Sequence, residues 1–339
     1  MAIYRIISTF AVQKIKLMTF NSTSYIRLYI VSLIILLIGN IQVQAITRED
    51  GKVQSDSTLI NYLNNLGIET TTNNQVKLLK SGEEKFIDLF EEIRKAKHHI
   101  HLEYFNFRND SIANTLFDLL AEKVKEGVEV RALFDAFGNS SNNQPLKKKH
   151  LKAIREKGIQ IEKFDPIKFP WINHAFHRDH RKIVVIDGKI GYTGGMNIAD
   201  YYINGLPEIG EWRDMHARME GKAVNDLQDI FLDMWNKTSG QNINGKEYYP
   251  NKDTITTSND NACMIAIVDR YPKKAPEVMR NVYIKAIESA NEKVQIINPY
   301  FTPVKSVKNA IKKALKNGVK VEIMIPGKSD IGFTPDAAM

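Results

Sequence analysis

Apolar positions along the chain follow two alternating periods. Between residues 83 and 97, Phe86, Leu89, Phe90 and Ile93 recur three or four apart, the spacing that lines one helical face. Ile100 to Phe107 is rich in aromatic residues and reads as a strand; from Ile112 to Lys125 the helical spacing returns, until Gly127 ends it. Val128 to Phe134 is then a short buried strand leading to Asp135. Strands joined through helices can pair in parallel, so a parallel or mixed α/β sheet is expected. Further on, Ile183, Val184, Val185 and Ile186 form an unbroken β-branched run, a buried strand, and Asp187-Gly188 behind it is a hairpin-turn signal.

The alternation occurs twice. Lys125-Glu126-Gly127-Val128-Glu129-Val130 corresponds to Lys316-Asn317-Gly318-Val319-Lys320-Val321 at an offset of 191 residues. The strands ahead also correspond, His99 to Phe105 with Val294 to Phe301, allowing a small gap. Two related lobes are implied, the first over 76–255 and the opening part of a second over 256–339. Before them, 46–75 is polar and rich in Asn and Thr, a linker or a loosely docked first helix.

The first 45 residues have a different character. Leu28 to Gly39 is an uncharged apolar run with Arg5, Lys14, Lys16 and Arg27 upstream and Val43-Gln44-Ala45 downstream, the layout of a signal peptide cleaved after Ala45 or of an uncleaved membrane anchor. Either form places the protein at the membrane or in the cell envelope. Those four cations also account for half of the formal charge of +8. A remaining balance of +4 suits local contact with an anionic phosphate better than a nucleic acid, whose non-specific binding rests on many phosphate contacts. The single cysteine, Cys263, excludes an intrachain disulfide and a multi-cysteine zinc site.

The sharpest chemical signal lies between the repeats. His180-Arg181-Lys182 is followed by Asp187, a His-x-Lys-x4-Asp pattern, and then by Gly194-Gly195-Met196-Asn197. Strand alternation puts His180 and Lys182 on one face, where an imidazole can attack phosphorus while an ammonium neutralises its oxygens. No metal or other cofactor is needed, and the three-residue spacing of His174, His177 and His180 would be splayed by a strand. Alternation turns Asp187 to the opposite face, so its geometry is that of a residue fixing the turn. Asn197 offers an amide to a phosphoryl oxygen or to its own loop.

This stretch, HRDHRKIVVIDGKIGYTGGMNIADYY, resembles the first signature of the phospholipase D superfamily, bacterial cardiolipin synthases in particular. HLEYFNFRND from His101, VRALFDAFG from Val130, EWRDMHARMEG from Glu211 and NPYFTP from Asn298 are also similar to that family. The resemblance implies a phospholipase D-like α-β-α sandwich, one complete lobe plus the first part of a second. It further implies His180 as nucleophile, Lys182 and Asn197 as phosphate binders, Asp187 as the last member of the catalytic motif, Asp214 as the carboxylate orienting the histidine, and Glu103 as a supporting residue. The activity it implies is phosphatidyl transfer, two phosphatidylglycerol molecules giving cardiolipin and glycerol through a phosphohistidine, with an anionic phospholipid in a membrane as substrate. The alternative is a phosphodiesterase of the same type, a lipid hydrolase or nuclease.

Such enzymes carry one signature per lobe, one histidine taking the phosphoryl group and the other protonating the leaving alcohol. At the repeat offset the partner of His180 falls near position 371. The sequence is therefore read as the N-terminal part of a longer product, with a homodimer pairing two first lobes and a catalytically dead, membrane-associated protein as alternatives.

Overall fold

The computed structural model describes residues 57–166, 177–250, 262–272 and 277–327, together with the short strands Ala11–Gln13, Ile15–Leu17 and Ile30–Val31. The remainder of the N-terminal apolar segment, and His174, lie outside the described residues. Among the described residues no helix is long and apolar enough to cross a membrane.

Eight strands make the main sheet: β1 (Thr70–Leu79), β2 (His99–Tyr104), β3 (Glu129–Asp135), β4 (Gln160–Phe164), β5 (Lys182–Ile186), β6 (Ile190–Gly194), β7 (His216–Glu220) and β8 (Cys263–Ala266). Their spatial order is β8-β1-β7-β6-β5-β2-β3-β4. Strands β2, β3 and β4 run parallel, and every other pairing is antiparallel. Helices α1 (Gly82–Lys95) and α2 (Ser111–Lys125) cover one face, and α4 (Ala223–Ser239) covers the other; α3 (Lys148–Glu156) leads into β4. The β-branched run of β5 is explained by this sandwich. Val184 and Ile186 enter the core with α1 and α2, while Ile183 and Val185 enter the core with Val224 and Leu227 of α4.

Registers decide what meets what. Tyr104 ends β2 opposite Lys182, Ile183 lies opposite Thr193, and Gly194 lies opposite His216. The end of β2, the start of β5, the end of β6 and the start of β7 are thus brought to one end of the sheet. At the other end, Asp187 and Gly188 both take left-handed backbone angles, φ +52° and +63°, and Lys189 donates to the Ile186 carbonyl at 3.0 Å. Asp187 and Gly188 are the central residues of a tight turn of the kind an Asp-Gly pair favours, and with Lys189 they make the three-residue loop between the paired Ile186 and Ile190.

The second lobe begins with α5 (Glu277–Glu288), β9 (Lys293–Ile297), α6 (Lys305–Lys316) and β10 (Lys320–Pro326). Its repeat of the first lobe extends to individual hydrogen bonds. Val128 N–H donates to Lys123 O and Val319 N–H to Ala314 O, both at 3.0 Å; Glu129 N–H meets His98 O and Lys320 N–H meets Glu292 O, both at 2.9 Å. β2 pairs with β3 in parallel from His99↔Glu129, and β9 with β10 from Lys293↔Lys320.

The lobe boundaries differ from the sequence reading. The span 46–75 contains a helix at 57–65 and the start of β1, and Leu59 and Leu63 are buried against Ala266, Val268 and Val282. β8, expected in the second lobe, adds to the edge of the first sheet by pairing with β1. A buried, alternating edge strand is hard to see in Thr70–Leu79 because its Thr and Asn residues look like linker, yet Asn74 is buried and bonded to Thr71 and to the Cys263 carbonyl.

Candidate active site

Residues 177–181 enter β5 without regular structure, and buried acids hold them. Asp135, at the end of β3, uses Oδ1 to accept the N–H groups of Phe137 and Gly138 at 2.8 and 2.9 Å, capping the short helix Ala136–Ser141. Its Oδ2 accepts the Asp179 N–H at 2.8 Å. The neighbouring Arg178 donates to the Asp165 carboxylate at 2.9 Å and to its carbonyl at 3.1 Å. The residue before His180 is thereby fixed in position.

The structure brings His180 and Lys182 together. Lys182 Nζ lies 3.3 Å from His180 Nδ1 and donates to the His180 carbonyl at 2.8 Å. The imidazole packs against Phe105 with ring centroids 4.6 Å apart. Lys182 is buried, and His180 is accessible to solvent at the mouth of a walled cavity. Desolvation lowers the Lys182 ammonium to about 7, with Asp179, Asp214 and Asp135 pulling the other way. Desolvation, and then the Lys182 charge, hold the His180 imidazole well below its usual range. A neutral imidazole beside an amine that titrates near neutrality is suited to nucleophilic attack on a phosphodiester.

At this end of the sheet lie buried polar atoms without a hydrogen-bond partner among the described residues: Tyr104 Oη, Asn197 Oδ1, Asp214 Oδ2 and both ring nitrogens of His216. Buried polar atoms are normally satisfied, and a cluster of orphans at one end of a sheet marks a place built for polar contacts from outside the chain. Lys85, on α1, donates to the carbonyls of Met196 and Asn197 at 3.1 and 2.9 Å and so holds the loop after β6. Asp200 and Asp110 complete that hold: Asp200 accepts Ile112 N–H at 2.7 Å, and Asp110 accepts Asp200 N–H at 2.8 Å.

The other predicted residues divide. Asn197 lies on the loop that Lys85 holds and donates through Nδ2 to the Tyr202 hydroxyl at 3.2 Å. Asp214 is buried, with Oδ1 on the Met215 N–H at 2.6 Å and Oδ2 without a partner, so its carboxylate is not bonded to the His180 ring. Burial pushes its carboxyl well above the usual range, against the Met215 N–H and the charges of Lys182 and Lys85. Glu103 faces α4 and accepts from Arg181 at 3.1 Å; burial and then Asp179 push its carboxyl upward. Asp187, counted with the catalytic motif, stands at the opposite end of β5 and takes the backbone N–H groups of Lys97, His98 and His99 at 2.8, 2.8 and 3.0 Å. Its place in the motif reflects strand length and turn chemistry, not contact with His180.

The sequence reading missed Lys85, Asp135 and His216. His216 had one usable signal, the Asp214-Met215-His216 alternation that puts acid and imidazole on one face; Lys85 had none, since a lysine on an amphipathic helix looks solvated. A cavity of about 340 Å³ opens beside His180. Its lining includes Arg178, His180 and Lys182 as well as Ile230, Met279 and Tyr283.

An α-β-α sandwich whose repeat restarts in a second lobe, with a His-x-Lys pair at the sheet end, defines a phospholipase D-like domain. The profile described as "Cardiolipin synthase, PLD-like domain" matches residues 89–235 and 283–338, and the chain belongs to that family. It is 41% identical over 264 residues to a cardiolipin synthase of Oceanobacillus iheyensis, and 40% identical over 264 residues to the major cardiolipin synthase ClsA of Bacillus subtilis. Each match takes in 78% of this chain and 53% of the relative, so the chain spans about half the length of the curated relatives it matches. Among solved structures, phosphatidylserine synthase of Haemophilus influenzae shares the fold, with a TM-score of 0.54 and 17% identity over 80% of this chain and 65% of that one.

Proposed function

We propose that this chain carries the nucleophilic half-site of a cardiolipin synthase-type phosphatidyltransferase. The observation that carries the reading is the His180–Lys182 contact at 3.3 Å, amid orphaned buried polar atoms. His180 Nδ1 is engaged by Lys182, which leaves attack to Nε2. For that, Nδ1 must hold the ring proton and the Lys182 amine must accept it, a state within reach of a group titrating near 7. Nε2 bonds to phosphorus, the bond from phosphorus to the glycerol oxygen breaks, and glycerol leaves with a proton from a general acid. A glycerol hydroxyl of a second phosphatidylglycerol then attacks phosphorus, giving its proton to the general acid that lost one in the first step; the P–N bond breaks, and cardiolipin and His180 are released. As Nε2 attacks, the Nδ1 proton passes to the Lys182 amine, and the ammonium so formed, with the Asn197 amide, stabilises charge on the phosphoryl oxygens.

Asp214 and Glu103 are assigned supporting roles in the charge balance around Lys182 and Arg181, and Asp187 a positioning role through the turn. The test is incubation of the full chain with phosphatidylglycerol vesicles. Cardiolipin formation that is lost in Lys182→Met supports the proposal; phosphatidic acid as sole product makes the chain a hydrolase; no product from vesicles or from an activated phosphodiester makes it catalytically dead.

A further inference from the structure

The cavity beside His180 is lined by two chemically distinct groups of residues. In one, Arg178, His180 and Lys182 present cationic and hydrogen-bonding groups. In the other, Ile230 from α4, Ile267 from the segment after β8, and Met279 and Tyr283 from α5 form an apolar wall shared by the two lobes. All four side chains are half-buried, and Ile230, Ile267 and Met279 also pack against the core clusters behind them. Arg181 holds the two groups at a fixed separation. Its Nε and Nη2 take both carboxylate oxygens of Asp269 at 2.7 Å, while Nη1 binds Glu103 at 3.1 Å, tying the segment after β8 to the strand that carries Lys182.

Apolar side chains left at a cavity wall favour a ligand whose own apolar surface leaves water on binding. A polar phosphodiester such as a nucleic-acid backbone gains nothing from that wall. From this geometry we infer that the wall formed by Ile230, Ile267, Met279 and Tyr283 seats the first part of an acyl chain of the phosphatidyl donor while its phosphate lies at His180 and Lys182. The inference rests on the proposed phosphatidyl transfer and adds to it the residues that select lipid over polar phosphodiesters. Cavity size limits the effect: once the space is filled, further methylenes return to water or bilayer and add nothing.

The test measures binding to the full chain by calorimetry, below the micelle concentration, for glycerophosphoglycerol and for phosphatidylglycerols with two, four and six carbons per acyl chain. Affinity is expected to rise with chain length, by up to about fourfold per seated methylene, and then to level off. In Ile230→Ser and Met279→Ser the rise flattens while glycerophosphoglycerol binds as before, which also shows that the variants are folded. Binding of the headgroup probe with no dependence on chain length overturns the acyl-wall inference and leaves the phosphate site standing, as does a rise that both variants retain. Failure of every probe, glycerophosphoglycerol included, overturns the phosphodiester site itself.

Discussion

The Asp187 carboxylate accepts the backbone N–H of His99 at 3.0 Å, from the far end of the strand that begins at Lys182. The same carboxylate takes the N–H groups of Lys97 and His98, so the loop entering β2 is clamped to the β5–β6 hairpin. Two strands that carry site residues at one end, Tyr104 on β2 and Lys182 on β5, are fastened at the other. Asp187→Ala should cost about 2–4 kcal/mol, from the lost acceptor bonds and the left-handed backbone angle that Asp tolerates. Asp187→Asn should cost about half as much. Chemical denaturation measures both. Affinity for glycerophosphoglycerol in the folded fraction should stay within about twofold of the parent; loss of binding at unchanged stability would make Asp187 part of the site.

Lys182 gives binding a pH dependence with a definite sign. Its amine is lowered to about 7, so the cation that holds phosphate is present below pH 7 and disappears above it. Affinity for glycerophosphoglycerol, which has no group titrating near neutrality, should fall as pH rises from 7 to 9, approaching tenfold per unit. Lys182→Arg should remove the fall, because guanidinium keeps its charge throughout. A flat profile for the parent chain would refute the assignment of Lys182 as the titrating phosphate binder.

Acid stability should be limited by a histidine outside the site. His99 is buried against His101 and Tyr248, with ring centroids 4.6 and 5.0 Å away, and desolvation first lowers it to about 4, against the pull of Asp187 and Glu129. The folded chain therefore excludes a proton that the unfolded chain takes up near 6.5. Its contribution is intact above 6.5 and is lost as pH falls towards 4, at no more than about 1.4 kcal/mol per unit. His99→Phe keeps the ring contacts and should reduce the stability difference between pH 7.5 and pH 5; His101, His180 and His216, which desolvation also lowers, contribute to the remaining slope.

Gly194 permits a close approach that no side chain would. A Cβ there would lie 2.4 Å from His216 Nδ1 and 2.6 Å from the His216 Cα, and the latter is backbone that cannot swing away. Gly194→Ala should destabilise by about 3 kcal/mol or more and displace His216. Thermal unfolding checks the first effect, and the histidine ring resonances in NMR check the second.

How much of this was legible depends on local chemistry. The β-branched run of β5, the Asp-Gly turn and the pairing of His180 with Lys182 were readable because each is written in adjacent residues. So was the repeat, which returns in the structure down to equivalent caps at Gly127 and Gly318. Strand β1 was read partly as linker because its buried Thr71 and Asn74 are satisfied by bonds to residues near position 265, almost two hundred positions away. The same distance hid Asp269, whose grip on Arg181 exists only once β8 has joined the first sheet. Lys85 was invisible for a related reason: its acceptors are backbone carbonyls of a loop more than one hundred residues on.

The central claim is that His180 becomes covalently bonded to phosphorus. It can be tested apart from any general acid by giving the full chain bis(p-nitrophenyl) phosphate, whose p-nitrophenolate leaves without protonation, and following release by rapid mixing with mass spectrometry of the quenched peptides. A burst of about one p-nitrophenolate per chain is expected, with an alkali-stable, acid-labile aryl phosphate on the peptide carrying His180, and neither in His180→Ala. Release that survives in His180→Ala, or an adduct on another residue, would contradict the account.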